Sequence, residues 1–249
     1  MIDFAGKVIL VTGGSRGIGA ATVRAVAGAG ARTIVHYATN RSAADKLVAE
    51  IGAERAVAIG ADLNDPDATE RLWDQAVAWQ GRVDVLVNNA GIYEHADPDG
   101  DLGPWQTAWQ RVLQVNLVAP AQLCRRAVAH FREHGGGIVV NVASRAAFRG
   151  EPYDAMNYAA SKGGLVALTR SLARAHGHEK ILAYGVAPGF TATEMAELGG
   201  DLTEVRRQIP MGDLAPPEDV ANVIAFLASG LAPHATGTTV DVNGASYVR

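Results

Sequence analysis

Cysteine is almost absent from these 249 residues: Cys124 is the only one, so an intrachain disulfide is excluded. It falls in a helical pattern from Leu117 to Phe131 and reads as a small packed hydrophobe. Long apolar runs are missing too, and no stretch could span a bilayer. The start, Met1-Ile2-Asp3-Phe4, passes within a few residues into a strand-like segment, with no charged leader or cleavage site. These absences predict a soluble, cytoplasmic protein. The formal net charge is −4, with no block of like charge and no basic stripe, which argues against nucleic acid and membrane partners. What is present is 48% hydrophobic and 19% charged residues, enough for a substantial core and too ordinary for wholesale disorder.

Short β-branched runs alternate with longer helical patterns. Strands are expected at Lys7–Thr12, Arg32–His36, Ala56–Ala61, Val83–Asn88, Gly137–Asn141, Ile181–Val186 and Thr238–Val242. Helices are expected at about Gly17–Ala29, Ser42–Ile51, Pro66–Trp79, Trp105–Glu133, Ala155–His176 and Pro216–Ala228. Runs such as Val83-Asp84-Val85-Leu86-Val87 and Ile138-Val139-Val140 suit parallel strands buried on both faces. The alternation predicts an α/β fold with a doubly wound, mostly parallel, seven-stranded sheet flanked by helices. No linker or repeat divides it, so residues 1–249 are expected to form a single domain. Ligands bind such sheets beyond the carboxyl ends of the strands, where Thr12, Asn88, Ser144 and Pro188 fall. The least regular stretch, 188–214, is a candidate lid.

The first strand runs into Thr12-Gly13-Gly14-Ser15-Arg16-Gly17-Ile18-Gly19 and then an alanine-rich helix. Glycines let a backbone turn sharply and approach a pyrophosphate, and a helix N-terminus offers free N–H groups and a positive dipole end. The spacing has a wider first gap than G-x-G-x-x-G. Taken alone, the loop is either a dinucleotide site or a glycine-rich turn that binds nothing. Farther on come Asp62-Leu63, Asn88-Asn89-Ala90-Gly91, Asn116, Ser144, Tyr158-x-x-x-Lys162, Pro188-Gly189 and a tail from Thr236-Gly237 to Val242-Asn243-Gly244. In this order they resemble the short-chain dehydrogenase/reductase family over essentially the whole chain, in particular its bacterial members similar to 3-oxoacyl-carrier-protein reductase.

The resemblance implies a Rossmann-type fold and a nicotinamide dinucleotide cofactor. The cofactor half would be about 1–140, and the catalytic and substrate elements about 141–249. The cofactor would contact Gly13, Ser15, Arg16, Gly17, Ile18 and Gly19 of the loop, with Asp62 accepting from the adenine amino group beside Leu63. Asn89, Ala90 and Gly91 would support the cofactor, as would Pro188 and Gly189, and Thr193 would contact the nicotinamide carboxamide. Ser144, Tyr158 and Lys162 match the family's triad, and Asn116 would hold a water linking Lys162 to solvent. Tyr158 follows Ser144 by 14 residues, one more than is usual in the family, which reads as an insertion within Arg149–Asn157.

The triad also makes physical sense. Residues four apart share a helix face, as Tyr158 and Lys162 do. A phenol titrates near pH ~10, and a neighbouring ammonium is expected to lower that value. Ser144 would hydrogen-bond the substrate oxygen and stabilise charge there as hydride moves. Taken alone, Tyr-x-x-x-Lys is common on ordinary helices and a serine after a strand often only starts a turn. The expected substrate is a small carbonyl compound or alcohol, against walls formed by His95, Ala146, Phe148, Tyr153, Phe190, Met195 and Met211.

NADP(H) is expected to be preferred, with NAD(H) possible. The second strand ends His36-Tyr37-Ala38-Thr39-Asn40-Arg41, without a carboxylate to repel a 2′-phosphate. Arg16 and Arg41 offer cations, and Thr39 and Asn40 offer donors. No metal is expected. His130-Phe131-Arg132-Glu133-His134 fits H-x-x-E-H but ends a helix before three glycines, where histidines complement the dipole. Arg145 and Arg149 are expected to be solvated, and Trp105 and Trp109 to pack together. A catalytically silent dinucleotide sensor or scaffold is the alternative function; a sugar-nucleotide epimerase would need a larger substrate domain. By resemblance, the chain forms a homotetramer.

Overall fold

The computed structural model describes residues 2–194 and 202–248. Seven strands form its sheet: β1 (Val8–Val11), β2 (Arg32–Tyr37), β3 (Ala56–Gly60), β4 (Val85–Asn88), β5 (Gly137–Val142), β6 (Ile181–Pro188) and β7 (Thr239–Val242). Their order is β3-β2-β1-β4-β5-β6-β7, and every pair is parallel. Helices α1 (Gly17–Gly28), α2 (Arg41–Ile51), α3 (Pro66–Gln80), α4 (Leu102–Leu113), α5 (Ala119–Glu133), α6 (Ala146–Arg149), α7 (Met156–His176), α8 (Leu202–Arg207) and α9 (Pro217–Ala228) connect and flank them. The doubly wound sheet is as the alternation predicts, and more regular: all parallel.

Both sheet faces are buried, which is why the strands are predominantly apolar. Side chains alternate between faces. Ile9 and Val11 of β1 join one core with Val23, Val26 and Ile224, while Val8 and Leu10 join the other with Leu72, Leu123 and Phe131. Helix starts carry the expected chemistry: Asp65 accepts from the Asp67 N–H at 2.8 Å with Pro66 in the first turn, and Asn40 accepts from the Ala43 N–H at 3.1 Å.

The long helix expected over Trp105–Glu133 is two helices joined by a π-helical turn, Gln114–Val118. Pro120 lacks the N–H that would return to the Asn116 carbonyl four residues back, so the regular ladder fails there. Such π turns occur frequently at functional sites. The ends of the irregular 188–214 stretch are tied together. Ala192 N–H donates to the Ala215 carbonyl at 2.9 Å, and Ala215 N–H to the Phe190 carbonyl at 3.0 Å.

Candidate active site

The glycine loop is pinned from the β4 side. The Asn89 and Ala90 N–H groups both donate to Thr12 Oγ1 at 3.0 Å, and Asn89 Nδ2 donates to the Thr12 carbonyl at 2.8 Å. This packing requires glycine. A Cβ on Gly19 would lie 2.1 Å from the Gly13 carbonyl oxygen and 2.7 Å from Asn89 Nδ2. Gly13 has φ 61°, in the left-handed region. Ser15, Arg16, Gly17 and Ile18 complete the turn into α1. Gly17 faces Thr193, whose Cγ2 is 3.0 Å from where a Cβ would stand. Arg16 is exposed and ion-paired with Glu194.

Asp62 lies exposed just past β3, where its Oδ1 accepts from the Asn64 N–H at 2.9 Å, and Leu63 beside it is buried. Asn40, expected as a cofactor donor, has its oxygen committed to capping α2; Arg41 pairs with Asp45 at 3.3 Å. Gly189 N–H donates to the Val242 carbonyl at 2.9 Å. A Cβ there would meet Asn243 at 2.7 Å, so the Pro188-Gly189 turn lies directly on the tail.

Ser144, Tyr158 and Lys162 converge beyond the end of β5. Ser144 Oγ accepts from the Ala146 N–H at 3.1 Å and hydrogen-bonds the Tyr158 phenol. The segment between Ser144 and Tyr158 holds α6, a glycine turn at Gly150 and a short 3₁₀ turn, Tyr153–Ala155. Lys162 is 3% exposed, its Nζ 5.8 Å from the centre of the Tyr158 ring. Gly91 leaves it room: a Cβ there would stand 3.2 Å from Nζ.

The electrostatics differ from the expectation for the tyrosine. Burial pushes the Tyr158 phenol up to about 12, opposed by its hydrogen bond to Ser144. Burial brings Lys162 down to about 8. The ammonium donates to the Val142 carbonyl at 2.9 Å, and desolvation is the leading influence on both groups. Burial thus favours the neutral phenol at Tyr158 and weakens the hold of Lys162 on its proton.

Asn116 is fully buried within the π turn. Its Oδ1 accepts from the Ile92 N–H at 2.8 Å; its Nδ2 donates to the Ile92 carbonyl at 2.9 Å and to Ser161 Oγ at 3.1 Å. Below the site, Asn88 Nδ2 donates to Asn141 Oδ1 at 2.9 Å, and Asn141 Nδ2 donates to Thr169 Oγ1 at 2.9 Å. This buried chain ties β4 and β5 to α7, the helix that carries Tyr158 and Lys162.

Arg145 corrects an expectation. It is 3% exposed, not solvated, with its guanidinium 4.1 Å above the Phe190 ring and Nη1 donating to Ser246 Oγ at 2.7 Å. Arg149 is exposed, as expected. Among the expected walls, Ala146 is buried, Tyr153 and Met211 are exposed, and Met195 lies outside the described residues. His95 pairs with Asp154 at 2.8 Å. Sequence reasoning missed Tyr93, whose ring packs edge-on between Tyr158 and His95 at 5.1 and 5.2 Å. Its position two residues after Gly91 was the only available signal. The H-x-x-E-H histidines are structural: His130 Nε2 accepts from the Val83 N–H at 3.1 Å, and the His134 ring stacks on it at 3.9 Å. Trp105 and Trp109 pack on each other at 5.2 Å.

Comparison with known proteins agrees with this geometry. The family model described as short chain dehydrogenase matches residues 7–201. The chain is 38% identical to a versicolorin reductase of Emericella nidulans, over 97% of the chain and 96% of the relative. It is 37% identical to a 3-oxoacyl-[acyl-carrier-protein] reductase of Synechocystis sp., over 98% of both. A cis-4-hydroxycyclohexanecarboxylate dehydrogenase of Sinomonas cyclohexanicum is 38% identical, over 97% of the chain and 96% of the relative.

Proposed function

We propose that this chain, which belongs to the short-chain dehydrogenase family, is an NADP(H)-dependent oxidoreductase that interconverts a ketone or aldehyde and its alcohol, with Tyr158 as acid/base. The observation that carries the reading is the convergence of Ser144, Tyr158 and the buried Lys162, whose Nζ stands 5.8 Å from the centre of the Tyr158 ring.

The residues present fit a dinucleotide. The loop Gly13, Ser15, Arg16, Gly17, Ile18 and Gly19 forms a turn packed so tightly that a Cβ at Gly19 has no room, which brings backbone amides to the start of α1 where a pyrophosphate would sit. Asp62 and Leu63 would receive the adenine end; Asn89, Ala90, Gly91, Pro188, Gly189 and Thr193 would border the nicotinamide end. The dinucleotide, when bound, supplies or accepts the hydride.

The chain's own residues orient the substrate and move the proton. Ser144 Oγ donates to the substrate oxygen and fixes it beside the phenol. Tyr158 gives that oxygen its proton in reduction and takes it back in oxidation. Lys162 stabilises the phenolate that results. Both side-chain groups of Asn116 are committed to Ile92 and Ser161, so its part in a proton relay falls to its main-chain carbonyl, which Pro120 cannot serve.

The NADP(H) preference rests on Arg16 and on a second strand end without a carboxylate. We further read the chain as one cytoplasmic domain that assembles into a homotetramer. Exposed Leu102, Val118, Phe226 and Leu231, and the edge position of β7, favour association. No described helix is long and apolar enough to cross a membrane.

Following the absorbance of reduced nicotinamide over a panel of ketones, aldehydes and alcohols tests the reading. Turnover on carbonyl compounds with NADPH supports it. Tight dinucleotide binding with no turnover on any of them would favour a sensor.

A further inference from the structure

His36 follows the buried run Thr33-Ile34-Val35 on β2, and is itself only 1% exposed. A polar ring so deep is held by hydrogen bonds, and both of its nitrogens have a partner. The Gly13 N–H donates to Nδ1 at 3.0 Å. On the other side, Nε2 lies 3.0 Å from the Ala61 carbonyl oxygen. A backbone N–H only donates and a carbonyl only accepts. Nδ1 therefore carries the lone pair and Nε2 the proton, so the ring is neutral and in one tautomer. The His36 carbonyl also accepts from the Gly14 N–H at 2.8 Å. One residue thus holds two successive amides of the glycine loop and, across the ring, the carbonyl directly before Asp62.

The geometry points to His36 as a positioning residue for the dinucleotide, one that fixes the glycine loop against the adenine-side end of β3 through its Nδ1 lone pair. This rests on the cofactor reading above. Thr12 and Asn89 hold the loop from the β4 side, and His36 holds it from the β2 side. With Gly13 N–H committed to the ring, phosphate recognition falls to the later amides of the loop and the start of α1. A loop held in place before binding loses less freedom on binding.

Protonation at Nδ1 would set N–H against N–H and release Gly13. Burial opposes it, lowering the ring to about 4 against the Ala61 carbonyl and Asp62, which act the other way. The charged group that acts on the ring is Asp62, just past β3.

Two measurements test this. In the protein without cofactor, two-bond ¹H–¹⁵N correlation of the histidine side chains should show His36 with a bare Nδ1 and a protonated Nε2 at neutral pH. A protonated Nδ1, or a mobile mixture of tautomers, would overturn the proposal whether or not any variant folds. The second is NADPH titration by intrinsic fluorescence. His36→Asn places a carbonyl at the reach of Nδ1, and His36→Gln places an amide at the reach of Nε2. The asparagine variant should bind within about threefold of wild type, whereas the glutamine variant should bind about tenfold more weakly, ~1.4 kcal/mol. At saturating NADPH both should keep kcat within about twofold, a KM-against-kcat split that simple loss of folding would not give. Equal weakening in both variants would contradict the assignment. A wild-type protein that binds no dinucleotide would instead sink the function proposed above and leave the tautomer result standing.

Discussion

The Lys162 ammonium donates to the Val142 carbonyl at 2.9 Å, tying the second turn of α7 to the last residue of β5. That bond satisfies one proton of a buried cation and leaves its charge short of solvent, which is why burial lowers it to about 8.

The pH profile follows. Tyr158, held up to about 12, stays protonated across the ordinary range, so it is not the group whose titration limits carbonyl reduction. Lys162 keeps its charge below its lowered pKa and loses it as pH rises through about 8. For carbonyl reduction, kcat/KM for NADPH should be flat below that value and fall above it, since this parameter reports groups of the free enzyme. A profile flat to about pH 10, near the ordinary lysine value, would contradict the assignment.

Arg16→Ala should weaken NADPH binding by about 1.5–3 kcal/mol, the range for a hydrogen bond to a charged group, with little effect on NADH. Glu194 competes for the same guanidinium, so Glu194→Gln should strengthen NADPH binding. Both partners are exposed, which limits that gain to ~1 kcal/mol or less. Calorimetric titration with each dinucleotide measures both effects. Equal losses for NADPH and NADH in the Arg16 variant would remove Arg16 as the discriminator.

Gly19→Ala should damage cofactor binding more than fold. The added methyl meets the Gly13 carbonyl at 2.1 Å, and the Gly13 backbone is held by His36 and Asn89. Overpacking of this kind costs about 1–3 kcal/mol. Thermal melting should show a modest loss and titration a severe one; unchanged NADPH affinity would mean that the loop is looser than its hydrogen bonds imply.

Acid should destabilise the fold through His36. Its folded pKa is depressed from 6.5 to about 4, so between those values the unfolded chain takes up a proton that the folded ring refuses. The ring's contribution is intact above about 6.5 and is lost as pH falls toward 4, amounting to ~3 kcal/mol. Urea unfolding over that range, with His36→Asn as the reference, isolates it. The same slope in wild type and variant would refute the attribution.

The tight glycine turn and the meeting of Tyr158 with Lys162 were legible because close backbone packing and helix periodicity demand particular residues at fixed spacing. Gly19 has no alternative beside the Gly13 carbonyl, and Tyr158 and Lys162 share a helix face. Parallel pairing was legible from strands apolar on both sides. Arg145 was not, because its burial depends on Phe190 and Ser246, distant in sequence and brought together by β6 and the tail. His36 was equally opaque: its partners, Gly13 and Ala61, come from two other strand ends. The break in the long helix was visible only as Pro120, whose effect on Asn116 needs the tertiary bonds to Ile92 to be understood.

The central claim is that Tyr158 moves the proton, and Tyr158→Phe tests it most directly. The substitution removes one hydroxyl and keeps the ring that packs against Tyr93. NADPH affinity should stay near wild type while turnover on a carbonyl substrate falls by at least about 10²-fold, the lower range for losing a general acid. A variant that binds NADPH normally and keeps more than about a tenth of wild-type turnover would contradict the account.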